Sequence, residues 1–293
     1  MILIRLISHL PLGILYLFSD AFFLLIYFMI GYRKQVVREN LHHAFPNKSG
    51  KERLEIEKQF YRNFTDSLAE TIKLLTMTKE MIAKRFVIRN AKVITNRVKN
   101  GEIVVGLCGH FFNWEGHLLS YTANVDKRCE TIYMKVNSTF FEKLMKTIRS
   151  RMGGDLTDRE AFQRKYLRNR NKKRLIVLAA DQRPNYLDIR YWTTFMNRET
   201  AFYEGAEKLA KKFNHPVVYA AVSKPKRGHY EFNYQLVATP PYEETASHSI
   251  TEAFIDHVER NIENYPSLYL WSHKRWKIKK PLTTNDGAPT EKS

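Results

Sequence analysis

IVVGLCGHFFNWEGH, residues 103 to 117, opens with a short apolar run, Ile103, Val104, Val105, Leu107 and Cys108, which breaks at Gly109 and meets His110 at once. Its β-branched content and abrupt end predict a buried strand. Four residues separate His110 from Glu115, so an imidazole stands at a strand's exit with a carboxylate one helical turn further on. That is the pattern of a general base and its orienter. A neutral imidazole takes a proton near physiological pH, and a carboxylate on its other nitrogen fixes the tautomer and stabilises the imidazolium that forms. The alternative for the same residues is a helix-capping histidine and a surface glutamate.

At 293 residues the chain is long enough for one large α/β domain, which we favour over two small ones. A net charge of +18, from 48 Lys and Arg against 30 Asp and Glu, draws the protein to something anionic: nucleic acid, anionic lipid or an acidic carrier protein. Its 18 Phe and 16 Tyr suit a lipid interface as well as a base-stacking surface, so charge does not choose. The two cysteines, Cys108 and Cys129, give no disulfide framework, and a reducing compartment is expected.

Leu10 to Ile30, LPLGILYLFSDAFFLLIYFMI, is about as long as the 20 apolar residues a spanning helix needs. Asp20 interrupts it, at a cost of roughly 2.5 to 3.5 kcal/mol at a bilayer centre, so the helix is expected to tilt, to sit partly in the interface or to meet a partner there. No small-residue cleavage site follows, and the block runs into Arg33, Lys34 and Arg38. That predicts an uncleaved anchor with the bulk of the chain in the cytoplasm. The alternative is a buried helix of the globular domain. Ser49 and Glu52 then form a capping box ahead of a helix whose apolar face is Leu54, Tyr61, Phe64, Leu68, Ile72 and Leu75, a face expected to be core.

After a polar, helix-like connection at 91–100 comes the strand of the opening stretch, and then a helix carrying Trp114, Leu118, Leu119 and Tyr121. A second strand is expected at Thr131–Met134, and a helix at Phe140–Arg151 with Phe141, Leu144, Met145 and Ile148 inward. Arg149 and Arg151 stand at its far end, where a solvated basic face is the default. Asp155–Lys173 reads as a charged helix. LIVLAA, Leu175 to Ala180, is the third buried strand, and it too ends on polar residues, Asp181, Gln182, Arg183, Pro184 and Asn185. In open α/β sheets ligands gather where strands finish, so the two polar clusters point to one site. A helix at Thr200–Phe213, a strand at Val217–Val222 with a hairpin-like return at Phe232–Val237, and a last helix at Ile250–Asn264 complete an α/β pattern. LYLWSHKRWKIKK, aromatic and basic, follows Pro266, and the polar tail beyond Pro281 is expected to be disordered.

Four stretches, in this order, resemble the bacterial late (secondary) acyltransferases of lipid A biosynthesis, within the lysophospholipid acyltransferase superfamily. VVRENLHHAFP is similar to that family's arginine-asparagine-leucine segment ending in Phe-Pro. His110 and Glu115, with Asn113 and Trp114 between them, match its His-x4-acid (HX4E) motif. Asp181 and Gln182 resemble its acid-Gln pair, and LWSHKRWK, Leu270 to Lys277, its basic-aromatic motif. The likeness spans roughly Arg5 to Lys277. It departs at Arg183, Pro184 and Asn185, where the family often has a second acid and a glycine, and at Phe195, Met196 and Asn197, in place of a Phe-Phe-Gly turn.

The resemblance implies a mixed central sheet flanked by helices, with an N-terminal membrane anchor at 1–32, an acyltransferase domain at 33–280 and a tail at 281–293. It also implies transfer of a fatty acyl chain from acyl carrier protein, or from coenzyme A, to a hydroxyl of a lipid A precursor or another bacterial lipid, at the cytoplasmic face of the inner membrane. His110 would be the base and Glu115 its orienter. Arg149, or alternatively Arg151, would polarise the thioester or bind an acceptor phosphate; Asp181 would hold one of these arginines, and Gln182 and Asn113 would contact substrate. No resident cofactor or metal is expected. Cys108 reads better as a buried strand residue than as a nucleophile, and His117 better as structural than as a zinc ligand. LWSHKRWK lacks a nucleic-acid module, so bilayer or carrier-protein contact is expected of it rather than nucleic acid. A non-enzymatic basic membrane-binding protein is the alternative of a different class.

Overall fold

The computed structural model describes residues 1–185, 189 and 191–280; the expected tail at 281–293 lies outside them. The chain begins with α1 (Ile2–His9) and α2 (Leu12–Leu24), which continues through a π-helical stretch to Ile30. Next come α3 (Lys34–Ala44), α4 (Gly50–Lys73), α5 (Lys79–Arg85), β1 (Phe86–Arg89) and α6 (Lys92–Lys99). The capping box at Ser49 and Glu52 is present at the start of α4. β2 (Val104–Cys108), α7 (Trp114–Asn124), β3 (Cys129–Tyr133), α8 (Thr139–Ser150), β4 (Asp155–Asp158), α9 (Arg159–Arg168) and β5 (Leu175–Ala179) form the heart of the fold. They are followed by β6 (Tyr191–Phe195), β7 (Arg198–Phe202), α10 (Gly205–Phe213), β8 (Val217–Lys226), β9 (His229–Ala238) and α11 (Ser249–Asn264).

Seven strands make one mixed sheet in the order β1-β9-β8-β2-β5-β3-β4, parallel except for the β8–β9 hairpin. β2 is central and every residue of it is buried, which is why it reads as a continuous apolar run. Val105 and Leu107 face one core, with Phe60 and Phe112, while Val104 and Cys108 face another, with Leu118 and Tyr121.

Four expectations need correction. Asp155–Asp158 is an edge strand ahead of a shorter helix, not part of a single helix. Tyr191–Phe195 and Arg198–Phe202 form a separate hairpin, where a helix was expected from Thr200; its turn puts Met196 and Asn197 at positive φ, the conformation of a two-residue hairpin turn. Phe141 is exposed on α8, although Leu144 and Ile148 are buried. On α4, Leu54 and Leu68 are exposed while Glu57, Asn63, Asp66 and Glu70 are buried. That helix is sandwiched between α2 and the body of the protein, and its polar residues bond to both neighbours.

Candidate active site

Parallel register builds the centre of the site. Cys108 on β2 pairs with Ala179 on β5, so two residues further along each strand His110 and Asp181 leave the sheet side by side. The His110 backbone N–H donates to Asp181 Oδ2 at 3.0 Å, and its ring Nδ1 lies 2.6 Å from Asp181 Oδ1. With the neutral ring donating from Nδ1, the lone pair stands on Nε2, which has no hydrogen-bond partner among the described residues. Asp181 is 1 % exposed. Burial pushes its carboxyl up, but the electrostatic attraction and hydrogen bonds of His110, together with Arg275, outweigh that and hold it below the usual carboxylate range.

The two acids pair otherwise than expected. Asp181, not Glu115, is hydrogen-bonded to His110, and Asp181 bonds neither Arg149 nor Arg151. Glu115 makes no hydrogen bond or ion pair with His110. Instead its carboxylate takes Arg149 Nε at 2.8 Å and Nη2 at 2.6 Å, and Trp114 Nε1 at 2.9 Å. The fork geometry is the strong form of an arginine–carboxylate pair. Burial lowers the Arg149 pKa, and Glu115 more than restores it, so the guanidinium stays charged.

The two arginines have different surroundings. Arg149 lines the cavity beside His110, whereas Arg151 points back to the backbone carbonyls of Leu74 and Met77, just past the end of α4. Asn113 is not among the residues that line this cavity. It caps α7 through Gly116 N–H and gives its amide to Glu70 at 3.1 Å, all of it buried. Gln182 does line the cavity.

Much of the basic-aromatic stretch LWSHKRWK is interior, with only Lys274 and Lys277 of its basic residues exposed. Trp271, Ser272, Arg275 and Trp276 are buried. Residues 268–270 run antiparallel to the loop after β2, with Phe112 N–H donating to Leu268 O at 3.0 Å and Leu270 N–H to His110 O at 3.1 Å. Asn40, within VVRENLHHAFP, anchors this ribbon by donating to Trp271 O at 2.8 Å and His273 O at 3.0 Å. Hydrogen bonds therefore join the four stretches that carry the family resemblance. Arg275, Tyr269 and His273 lie within electrostatic reach of Asp181. Burial brings the Arg275 pKa down to about 10 and that of His273 down to about 4. Sequence reasoning named none of these three, although an arginine between two tryptophans was a usable sign of burial.

A cavity of about 560 Å³ opens at the C-terminal ends of β2, β5 and β3, with His110, Glu115, Arg149 and Gln182 among its polar lining. Its apolar walls include Cys108, Leu118, Ile132, Phe162 and Val177. Such a volume falls in the ordinary range of ligand pockets. The Cys108 thiol is pushed up to about 12 by burial, so it stays protonated and is no nucleophile at neutral pH.

His117 accepts or donates at 2.7 Å with the Tyr234 hydroxyl and stacks on Phe232. Burial depresses its pKa to about 3 from 6.5. Below pH 6.5 the unfolded chain therefore binds a proton that the folded one refuses, and stability falls as pH drops from 6.5 towards 3. The slope is about 1.4 kcal/mol per pH unit. Urea unfolding at pH 7 and pH 5 checks this: His117→Gln is expected to lose about 2 kcal/mol less than the native chain over that interval. Equal losses would show that His117 is protonated in the folded protein.

No curated protein matches the chain. A family model described as bacterial lipid A biosynthesis acyltransferase matches residues 1–278, from the first helix through the ribbon that braces His110. The chain belongs to the bacterial lipid A biosynthesis acyltransferase family.

Proposed function

We propose that this acyltransferase moves a fatty acyl chain from a thioester carrier to a hydroxyl of a lipid A precursor at a membrane surface, with His110 as general base. The observation that carries this reading is the His110–Asp181 pair at 2.6 Å, with the opposite ring nitrogen uncommitted and a largely apolar cavity beside it.

In this mechanism His110 Nε2 takes the acceptor's hydroxyl proton as its oxygen attacks the thioester carbonyl. Asp181 holds the ring in the right tautomer and stabilises the imidazolium. The Arg149 guanidinium, fixed by Glu115, stabilises the oxyanion of the tetrahedral intermediate. Collapse of that intermediate expels the carrier's thiolate, which receives the proton from His110. The acyl chain lies in the apolar part of the cavity, and the net charge of +18 favours an acidic carrier protein as donor.

Mass spectrometry of lipid A from cells lacking this chain tests the reading. One acyl chain is expected to be missing, restored by the native protein and not by His110→Ala. Unchanged lipid A with another lipid one acyl group short would assign the chemistry to that acceptor instead.

A further inference from the structure

The apolar block Leu12–Ile30 is 19 residues long, about 28 Å at helical rise, close to the thickness of a bilayer's hydrocarbon. Length and composition alone would let it cross. Its contacts say otherwise. One side of α2 is bonded to α4 along its whole length, antiparallel: Tyr27 donates to Glu57 at 3.0 Å, Ser19 to Asp66 at 2.8 Å and Tyr16 to Glu70 at 2.9 Å. Beyond the helix start, Lys73 of α4 donates to the carbonyls of Ser8 and Leu10, each at 2.9 Å. Asp20, the one charge in the block, meets Arg227 at 2.7 Å; Arg227 sits in the turn between β8 and β9 and also grips Asp66 at 2.6 Å.

α4 cannot follow α2 into a bilayer. Its opposite side is built into the catalytic body, with Phe60 against Phe112, Asn63 donating to Ser267 and Glu70 accepting from Asn113 and Tyr230. A crossing helix would have to leave behind Glu57, Asp66 and Glu70, all buried beneath it, and carry Asp20 without Arg227.

The other side of the same helix is bare hydrocarbon: Leu17, Phe18, Leu24, Phe28, Met29 and Ile30 are all more than half exposed. Ile2, Leu3 and Leu6 extend the exposed apolar surface through α1. Cations border it. The Arg62 guanidinium lies 4.7 Å from the centre of the Phe23 ring and Lys34 Nζ 3.8 Å from that of Tyr27, and Arg5 on α1 is exposed. With α4 occupying its inner side, the helix presents an apolar outer surface with a basic border, which suits the interface of an anionic leaflet. A second copy would bring the same positive border and be repelled.

We infer that α1 and α2 lie in the plane of one leaflet of an anionic bilayer, clamped to the catalytic body by the α4 carboxylates and Arg227, and do not cross it. This rests on the membrane-surface reading above and specifies how the surface is held. The test uses the full chain added to sealed vesicles of phosphatidylethanolamine and phosphatidylglycerol, with one protease-cleavable tag ahead of Met1 and another after Ser293. Environment-sensitive thiol probes are placed singly at Ile14→Cys, Phe22→Cys and Met29→Cys, since both native cysteines are buried.

The expected result is that external protease removes both tags, and that all three probes are quenched several-fold better by nitroxides high on the acyl chains than by nitroxides at the bilayer centre. A protected first tag, with depth changing steadily from residue 14 to residue 29, would overturn the in-plane placement while leaving membrane association intact. Probes that stay in water or in a protein dimer, with no sedimentation on vesicles, would overturn both.

Discussion

His110→Ala is expected to lower the rate of acyl transfer by about 10²- to 10⁴-fold, the usual worth of a positioned general base. The carrier and lipid should still bind, because the cavity walls and Arg149 are untouched. Single-turnover kinetics with purified acyl carrier thioester would show the loss in the chemical step rather than in affinity. Raising the pH should recover part of the rate, since hydroxide can replace the missing base. A variant with native turnover would remove His110 from the chemistry altogether.

Asp181→Asn is the second large effect, and it separates the two acids. Asparagine keeps the shape but loses the charge, and its amide NH₂ can turn towards Nδ1 and force the proton onto Nε2, so the ring presents no lone pair to the acceptor. In a histidine–aspartate pair of this kind such a change costs about 10⁴-fold, and a loss of about 10³- to 10⁴-fold is expected here. Glu115→Gln should cost about 10²- to 10³-fold, as for loss of one oxyanion stabiliser, because Arg149 loses its anchor while His110 keeps its own. The pH profiles discriminate further. Glu115→Gln should retain the native pH profile, whereas Asp181→Asn should displace it. If Glu115→Gln moves the profile and Asp181→Asn does not, Glu115 is the orienter after all.

The pairing of His110 with Asp181, and of Glu115 with Arg149, shows what a linear chain conceals. His110 and Glu115 are five positions apart, so sequence spacing brings them together in the mind; His110 and Asp181 are 71 apart and meet only because β2 and β5 are adjacent and in register. β2 and β5 were themselves readable as continuous apolar runs, β2 buried throughout and β5 at Leu175 and Ile176. The edge strand Asp155–Asp158 was not, since two of its four residues are acids and its sequence carries no apolar run. The buried carboxylates of α4 were equally hidden. Nothing in GKERLEIEKQFYRNFTDSLAETIK tells that a second helix covers its polar side. The burial of Trp271, Arg275 and Trp276 was hidden for the same reason, because an arginine among tryptophans describes a surface patch and a stacked interior equally well.

That ribbon has a consequence for the order of events in biosynthesis. Leu268, Leu270 and the carbonyls held by Asn40 complete the loop that carries His110, yet they are translated long after it. β9, too, must return across most of the preceding chain to pair with β1. Contacts of such wide sequence separation form late and slowly. A nascent chain therefore has its apolar N-terminal helices long before its catalytic centre, and on the membrane-surface placement proposed above it would reach a leaflet before it could transfer an acyl group there.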